Sequence, residues 1–145
     1  MNTTQKGDIA HAAVLAALVK AGHNVLLPFS DGLRYDIAVE VEGQLIKIQI
    51  KSGLLKNGAV QFRDVSTRVS GDKIIVKSYK GDVDFFGVYC QELDTVYLVP
   101  INECQNSVTS LRVEPTKNGQ RTNIRYADSY LADVVQFGRT HACHA

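Results

Sequence analysis

Two neighbouring runs of the chain carry polar side chains at positions where chemistry can be done. Asp36 stands near the start of RYDIAVEVE, out of phase with the aliphatic Ile37, Val39 and Val41. Gln49 and Lys51 lie two residues apart in QLIKIQIKSG, so on a strand they share one face, opposite Ile46, Ile48 and Ile50. A carboxylate facing such a pair across two antiparallel strands suits hydrolysis of a phosphodiester. A divalent metal polarises the phosphate and helps generate hydroxide. Hard Mg2+ asks for oxygen ligands, which a carboxylate supplies. A lysine stabilises the attacking water or the developing negative charge. The same spacing also fits an Asp that pairs with a nearby Lys on a solvated face, and spacing alone leaves both readings open.

The elements that must hold these groups follow from periodicity. Residues 34–42 and 44–52 alternate with period two around Glu42-Gly43, which predicts a hairpin. Ahead of it, Ile9, Ala13, Leu15, Ala16, Leu18 and Val19 recur at helical spacing and predict a helix over 6–21. Thr4 is the expected N-cap and Gly22 the expected stop. Residues 24–29 read as a strand with Pro28 marking an edge or an end, and Ser30-Asp31-Gly32 as a turn. Residues 53–82 are rich in Gly, Ser and Lys, with β-prone pieces at 59–65 and 73–77. Strands are expected at 83–90, 95–101 and 108–113, a polar loop at 115–125, a closing helix at 126–136 and a frayed tail over 137–145. This order predicts one α/β or α+β domain over 1–145.

At 145 residues, with 45% hydrophobic and 21% charged, the chain is long enough for a core and unlike a disordered tail. Three cysteines without a CxxC pair argue for reduced thiols and a cytoplasmic location. Neither a bilayer-length apolar run nor a signal-peptide core is present in the sequence. The phosphate-loop, dinucleotide, nucleophile-elbow and zinc-protease motifs are absent as well. His141, Cys143 and His144 read as tail, and Asp82 and Asp84 as turn or ion-pair residues.

A net charge of +1 looks unlike a nucleic-acid binder, but its distribution reverses that impression. Lys51, Lys56, Arg63, Arg68, Lys73, Lys77 and Lys80 face only Asp64 and Asp72, so residues 51–80 carry +5 and the remainder −4. Arg112, Lys117, Arg121 and Arg125 form a second basic cluster against Glu114. Gln61 and Ser78 lie among these cations and, with Tyr79, are candidates for phosphate or base-edge contact. A solvated loop would show similar charge runs. Two such clusters in a Gly-rich β context favour a ribbon over about 53–77 that meets DNA.

These segments resemble the PD-(D/E)XK nuclease superfamily, and within it the small intron-encoded homing endonucleases of cyanobacterial type. The likeness rests on KGDIAHAAVLAALVKAGHNVLLP, RYDIAVEVEGQLIKIQIKSG, SYKGDVDFFGVYCQELDTVYLVPI and NGQRTNIRYADSY, spanning roughly residues 5–131. It implies a restriction-endonuclease-like core, a mixed β-sheet flanked by helices. Asp36 would be the metal-binding Asp, with Tyr35 where the motif has Pro. Gln49-Ile50-Lys51 would stand for Asp/Glu-x-Lys, with Gln49 facing the metal, the Ile50 carbonyl offering an oxygen and Lys51 the catalytic cation. Mg2+ or another divalent cation is the implied cofactor.

One position departs from the resemblance. Related nucleases carry Lys-Gly-x-x-x-Glu on the helix, whereas this chain has Lys6-Gly7-Asp8-Ile9-Ala10-His11. Imidazole is a poor ligand for Mg2+. His11 therefore has three readings: a natural variant with Asp8 or water filling in, a substitution that blunts cleavage, or an ordinary surface histidine. The expected activity is sequence-specific cutting of double-stranded DNA. A Holliday-junction resolvase and a non-catalytic DNA-binding module are the alternatives. One small protomer carries one site, so a homo-oligomer is implied, a dimer or a tetramer, with no membrane partner.

Overall fold

The computed structural model describes residues 2–104, 107–116, 118–119 and 124–137. The single α-helix among them, α1 (Thr3–Lys20), begins three residues earlier than its periodicity predicts. Its cap is Asn2 rather than Thr4: Asn2 Oδ1 accepts from Gln5 N at 2.8 Å, and Gln5 Oε1 accepts from Asn2 N at 3.1 Å. Each side chain satisfies a backbone donor that the first turn leaves unpaired. The end is as expected. Gly22 takes φ +88°, and Gly22 and His23 donate back to Val19 and Leu18, closing the last turn.

Nine strands follow among the described residues: β1 (Asn24–Leu26), β2 (Ile37–Val41), β3 (Gln44–Lys56), β4 (Ala59–Arg63), β5 (Val65–Ser70), β6 (Lys73–Ser78), β7 (Phe85–Cys90), β8 (Thr95–Pro100) and β9 (Val108–Arg112). The β2–β3 hairpin turns on Glu42 and Gly43, both at positive φ, 52° and 81°. A two-residue turn of this kind matches the twist of the strands. β3 is the axis of the molecule. Its first part pairs with β2, its middle runs parallel to β7, and its end pairs with β4. β1, β8 and β9 complete a seven-stranded mixed sheet. β5 and β6 form a separate two-stranded ribbon.

The sheet has a core on each face. On one face Val14 and Leu18 of α1 pack on Ile37, Val39, Ile46, Ile48, Phe85 and Leu98. The helix lies so close to β7 that a Cβ on Gly87 would sit 2.8 Å from Val14 Cγ1. On the other face Tyr79, Val83, Phe86, Val88, Tyr97 and Val99 form the second cluster with Val60, Phe62 and Leu111. Full burial of each such side chain stabilises by about 1.5–3 kcal/mol. Strand alternation therefore sends Ile46, Ile48 and Ile50 toward α1 and Gln49 and Lys51 toward Tyr79.

Two expectations are corrected. The closing helix over 126–136 is a 3-10 turn of four residues, Ala127–Tyr130. Its apolar residues pack as an edge instead: Leu131 bridges to Tyr97, and Phe137 reaches Phe85 and His23. Among the described residues the mixed sheet is flanked by one α-helix, α1, on one face. The strand over 24–29 ends at Leu26. Cys90 and Cys104 are free and buried, and burial pushes the Cys104 thiol up to about 11, which leaves it protonated and inert near neutral pH.

Candidate functional site

The hairpin register brings the three polar residues together. Asp36 N donates to Ile48 O at 2.9 Å, which extends the β2–β3 ladder by one residue and sets Asp36 opposite Gln49. Asp36 Oδ2 accepts from Ile50 N at 2.9 Å. The Gln49 amide is satisfied at both ends when its nitrogen donates to Arg34 O at 2.9 Å and to Asp36 Oδ2 at 3.2 Å. Its oxygen then faces the Tyr79 hydroxyl, 3.4 Å away in the exchanged position. Lys51 Nζ donates to Tyr79 Oη at 3.3 Å and lies 4.8 Å from the centre of that ring. Asp36, Gln49, Lys51 and Tyr79 thus form one connected polar cluster on the face opposite α1.

Two groups in this cluster are left available. Asp36 Oδ1 accepts no hydrogen bond from the described residues, and Lys51 makes no ion pair with them. These are the groups that a divalent cation and a phosphate would meet. No group of three His, Cys, Asp or Glu side chains gathers among the described residues in a metal-holding arrangement. A closed protein cage is therefore absent from that part of the chain. Mg2+ does not need one, since it keeps waters and commonly binds through one or two carboxylates plus substrate phosphates. Asp36 Oδ1 fits that lightly held mode. In the satisfied orientation Gln49 supports Asp36 through its nitrogen, so its oxygen is not beside the carboxylate.

His11 and Asp36 line one cleft of about 270 Å3, together with Tyr35, Asp31, Ser30 and Leu33. Asp8 is exposed and lines no part of that cleft. Asp31 brings a second carboxylate to the cleft that sequence reasoning read only as a turn residue. Tyr35, at the position of the motif's Pro, lies with its ring 5.6 Å from Lys47 Nζ. Among the residues outside the motif, Arg34 is the one sequence reasoning missed. Its guanidinium pairs with Asp82 at 3.2 Å, donates to Ser66 Oγ and Ser78 O at 2.8 Å each and stacks 4.0 Å from the Tyr79 ring centre. Asp82 is thus the ion-pair residue expected. Asp84 anchors the other side, accepting from Lys47 N at 2.8 Å. The only sequence signal for Arg34 was its place two residues before Asp36.

The candidate DNA contacts separate into groups. Arg68, Lys73 and Lys77 are exposed on the β5–β6 ribbon, and its register puts them on one face with Ser66, the face to which Arg34 binds. Lys80 is exposed just beyond the ribbon. Ser78 caps the ribbon's base, its Oγ accepting from Lys80 N at 3.0 Å. Tyr79 is 5% exposed, with its hydroxyl turned to Lys51 rather than outward. Lys56, Gln61 and Arg63 alternate onto the other face of the sheet from Lys51, because Leu54 pairs with Gln61. Lys117 and Arg121 lie outside the described residues.

A mixed sheet on a long helix, with Asp36 opposite a Gln-x-Lys strand, defines a nuclease of the restriction-endonuclease-like class. The chain matches the family model for PD-(D/E)XK endonucleases over residues 1–133. It belongs to that family. A solved bacterial homing endonuclease, I-Ssp6803I, is 33% identical to it and superposes with a TM-score of 0.74, covering 90% of this chain and 89% of the other. No curated protein sequence matches the chain closely. No helix among the described residues is long and apolar enough to cross a membrane.

Proposed function

We propose that this chain is a divalent-metal-dependent endonuclease that cuts double-stranded DNA at a specific sequence, in the manner of a homing endonuclease. The observation that carries the reading is the available pair at the site: Asp36 Oδ1 and the Lys51 ammonium, linked through Gln49 and Tyr79 in one polar cluster. Full-length likeness to a homing endonuclease supports the substrate. When bound, the metal supplies a Lewis acid for the phosphate and lowers the pKa of a water. Asp36 would hold it. Lys51 places a positive charge where negative charge develops on the attacked phosphate, an interaction that is strongest in a water-poor site. The ribbon presents Arg68, Lys73 and Lys77 to the duplex backbone, and nearby polar side chains to base edges. Two strands need two sites, so the working form is a homo-oligomer, a dimer or a tetramer, acting on DNA in the cytoplasm.

The test is cleavage of supercoiled plasmids with Mg2+, one carrying an intron-insertion-type site and one of random sequence. Linear product from the first alone, lost with EDTA, is the expected result. Cutting of four-way junctions in preference to either plasmid would assign a resolvase instead. Tight DNA binding without cutting under Mg2+ or Mn2+ would make the chain a binding module. His11→Glu is expected to raise nicking at low Mg2+; an unchanged metal titration would take His11 out of the site.

A further inference from the structure

We infer that Tyr79 is a positioning residue for the Lys51 ammonium, and that Arg34 ties this pair to the base of the DNA-facing ribbon. The inference rests on the nuclease reading for its consequence but on contacts alone for its geometry. Tyr79 follows the last ribbon residue, Ser78, and its ring is fixed edge-on against Phe86 at 5.5 Å. The hydroxyl is the one hydrogen-bond partner of the Lys51 ammonium among the described residues, at 3.3 Å. An ammonium carries three N–H donors, so a phenol that accepts one leaves two for a phosphate oxygen and a water. A carboxylate in the same place would hold the lysine more strongly and cancel the charge that the reaction needs. A neutral hydroxyl and a π face orient the cation and leave the charge intact.

Arg34 explains why Tyr79 stays where it is. A second cation against the same ring repels Lys51 unless its charge is met, and Asp82 meets it at 3.2 Å. One N–H from each of the two terminal nitrogens of the fork goes to the ribbon: to Ser66 Oγ in β5 and to Ser78 O in β6. The Arg34 carbonyl accepts from Gln49 in the orientation that also supports Asp36. One residue therefore touches both ribbon strands, the aromatic that holds Lys51, and the amide that holds Asp36. Seating of the ribbon on DNA is thereby coupled to the placement of the lysine.

Tyr79→Phe keeps the ring and the stack and removes only the hydroxyl. Its expected result is a single-turnover cleavage rate lower by roughly 10- to 100-fold, the usual effect of losing a hydrogen bond to a charged group, with DNA affinity and Tm unchanged. Arg34→Lys keeps the charge but loses the fork and is expected to slow cleavage in the same way. A second readout needs no cleavage: acetylation of lysines by a water-soluble activated ester, mapped by mass spectrometry. Tyr79→Phe is expected to raise labelling of Lys51 relative to Lys47 and Lys56. Wild-type cutting by Tyr79→Phe, or Lys51 labelling that does not move, overturns the inference. Raised Lys51 labelling in a chain that cuts no DNA would support the positioning role and overturn the nuclease reading instead.

Discussion

Two of the molecule's hairpins, β2–β3 and β5–β6, have opposite surroundings. In β2–β3 the strand Ile37–Val41 begins with three buried residues, and Ile46 and Ile48 are buried across from them. In β5–β6 almost nothing is covered: Val69 is 75% exposed, Ile74 72% and Val76 58%. The first hairpin is packed against α1 through Ile37, Val39, Ile46 and Ile48 and carries Asp36, Gln49 and Lys51. The second touches the body through its base, with Val65 buried and Arg34 clamping Ser66 and Ser78. Positions that must be held to fractions of an ångström sit where packing over-determines them. On the proposed function, the positions that would adapt to a duplex sit where it does not.

The largest effect tests the packed hairpin. Lys51→Ala and Asp36→Ala are each expected to lower single-turnover cleavage by roughly 10³-fold or more while binding of DNA persists. Retained cutting by either would detach the chemistry from this hairpin. Next is packing itself. Gly87→Val drives a side chain into Val14 and should cost about 3 kcal/mol in urea unfolding. Ile74→Thr on the ribbon should stay within about 0.5 kcal/mol. Equal costs would show that the two hairpins are not differently supported. The third prediction concerns the ribbon. Replacing Arg68, Lys73 and Lys77 with Gln should weaken DNA binding and flatten its salt dependence, by up to about 0.9 in log–log slope for each phosphate no longer neutralised. Cleavage at saturating protein should survive.

The smallest effect separates the halves by pH. Burial raises the Cys104 thiol from 9.0 to about 11, so the folded state resists its ionisation. Stability from this group is complete below the pKa of the unfolded thiol and is lost as pH rises through about 9 to 11, by about 2 kcal/mol. Tyr130 and Tyr97 are pushed up as well, chiefly by burial, and act in the same direction. The ribbon carries no Cys or Tyr, so alkaline loss should report the packed half alone. Cys104→Ala should flatten the fall in Tm between pH 9 and 11; an unaltered curve would rule out this thiol as a source.

How much of this could be read from residues follows the same division. The β2–β3 hairpin alternates apolar and polar side chains because it separates two environments, and that alternation predicted it. β5 has the sequence VSTRVS, whose Val65, Thr67 and Val69 share one face that is exposed beyond Val65, and it was legible only as part of a basic Gly/Ser stretch. The amphipathic run after Tyr126 suggested a helix, yet its apolar residues are consumed one at a time against Tyr97 and Phe85. Asp36, Gln49 and Lys51 were found by phase. Arg34 and Tyr79 were harder, since their roles depend on contacts across sequence separations of 28 to 48 residues. No local period encodes those.

β3 has a consequence for the order in which the protein comes into being. A ribosome releases Asp36, Gln49 and Lys51 on a two-strand hairpin that is marginal in water by itself. Tyr79 has not yet been made, and neither has β7, the parallel neighbour that pairs Lys51 with Val88. Parallel pairing waits on the intervening ribbon, since its loop must close before the contact is gained. The motif is thus spelled out early and assembled late, and a truncated copy carries Asp36, Gln49 and Lys51 without the tyrosine and the parallel strand that position them.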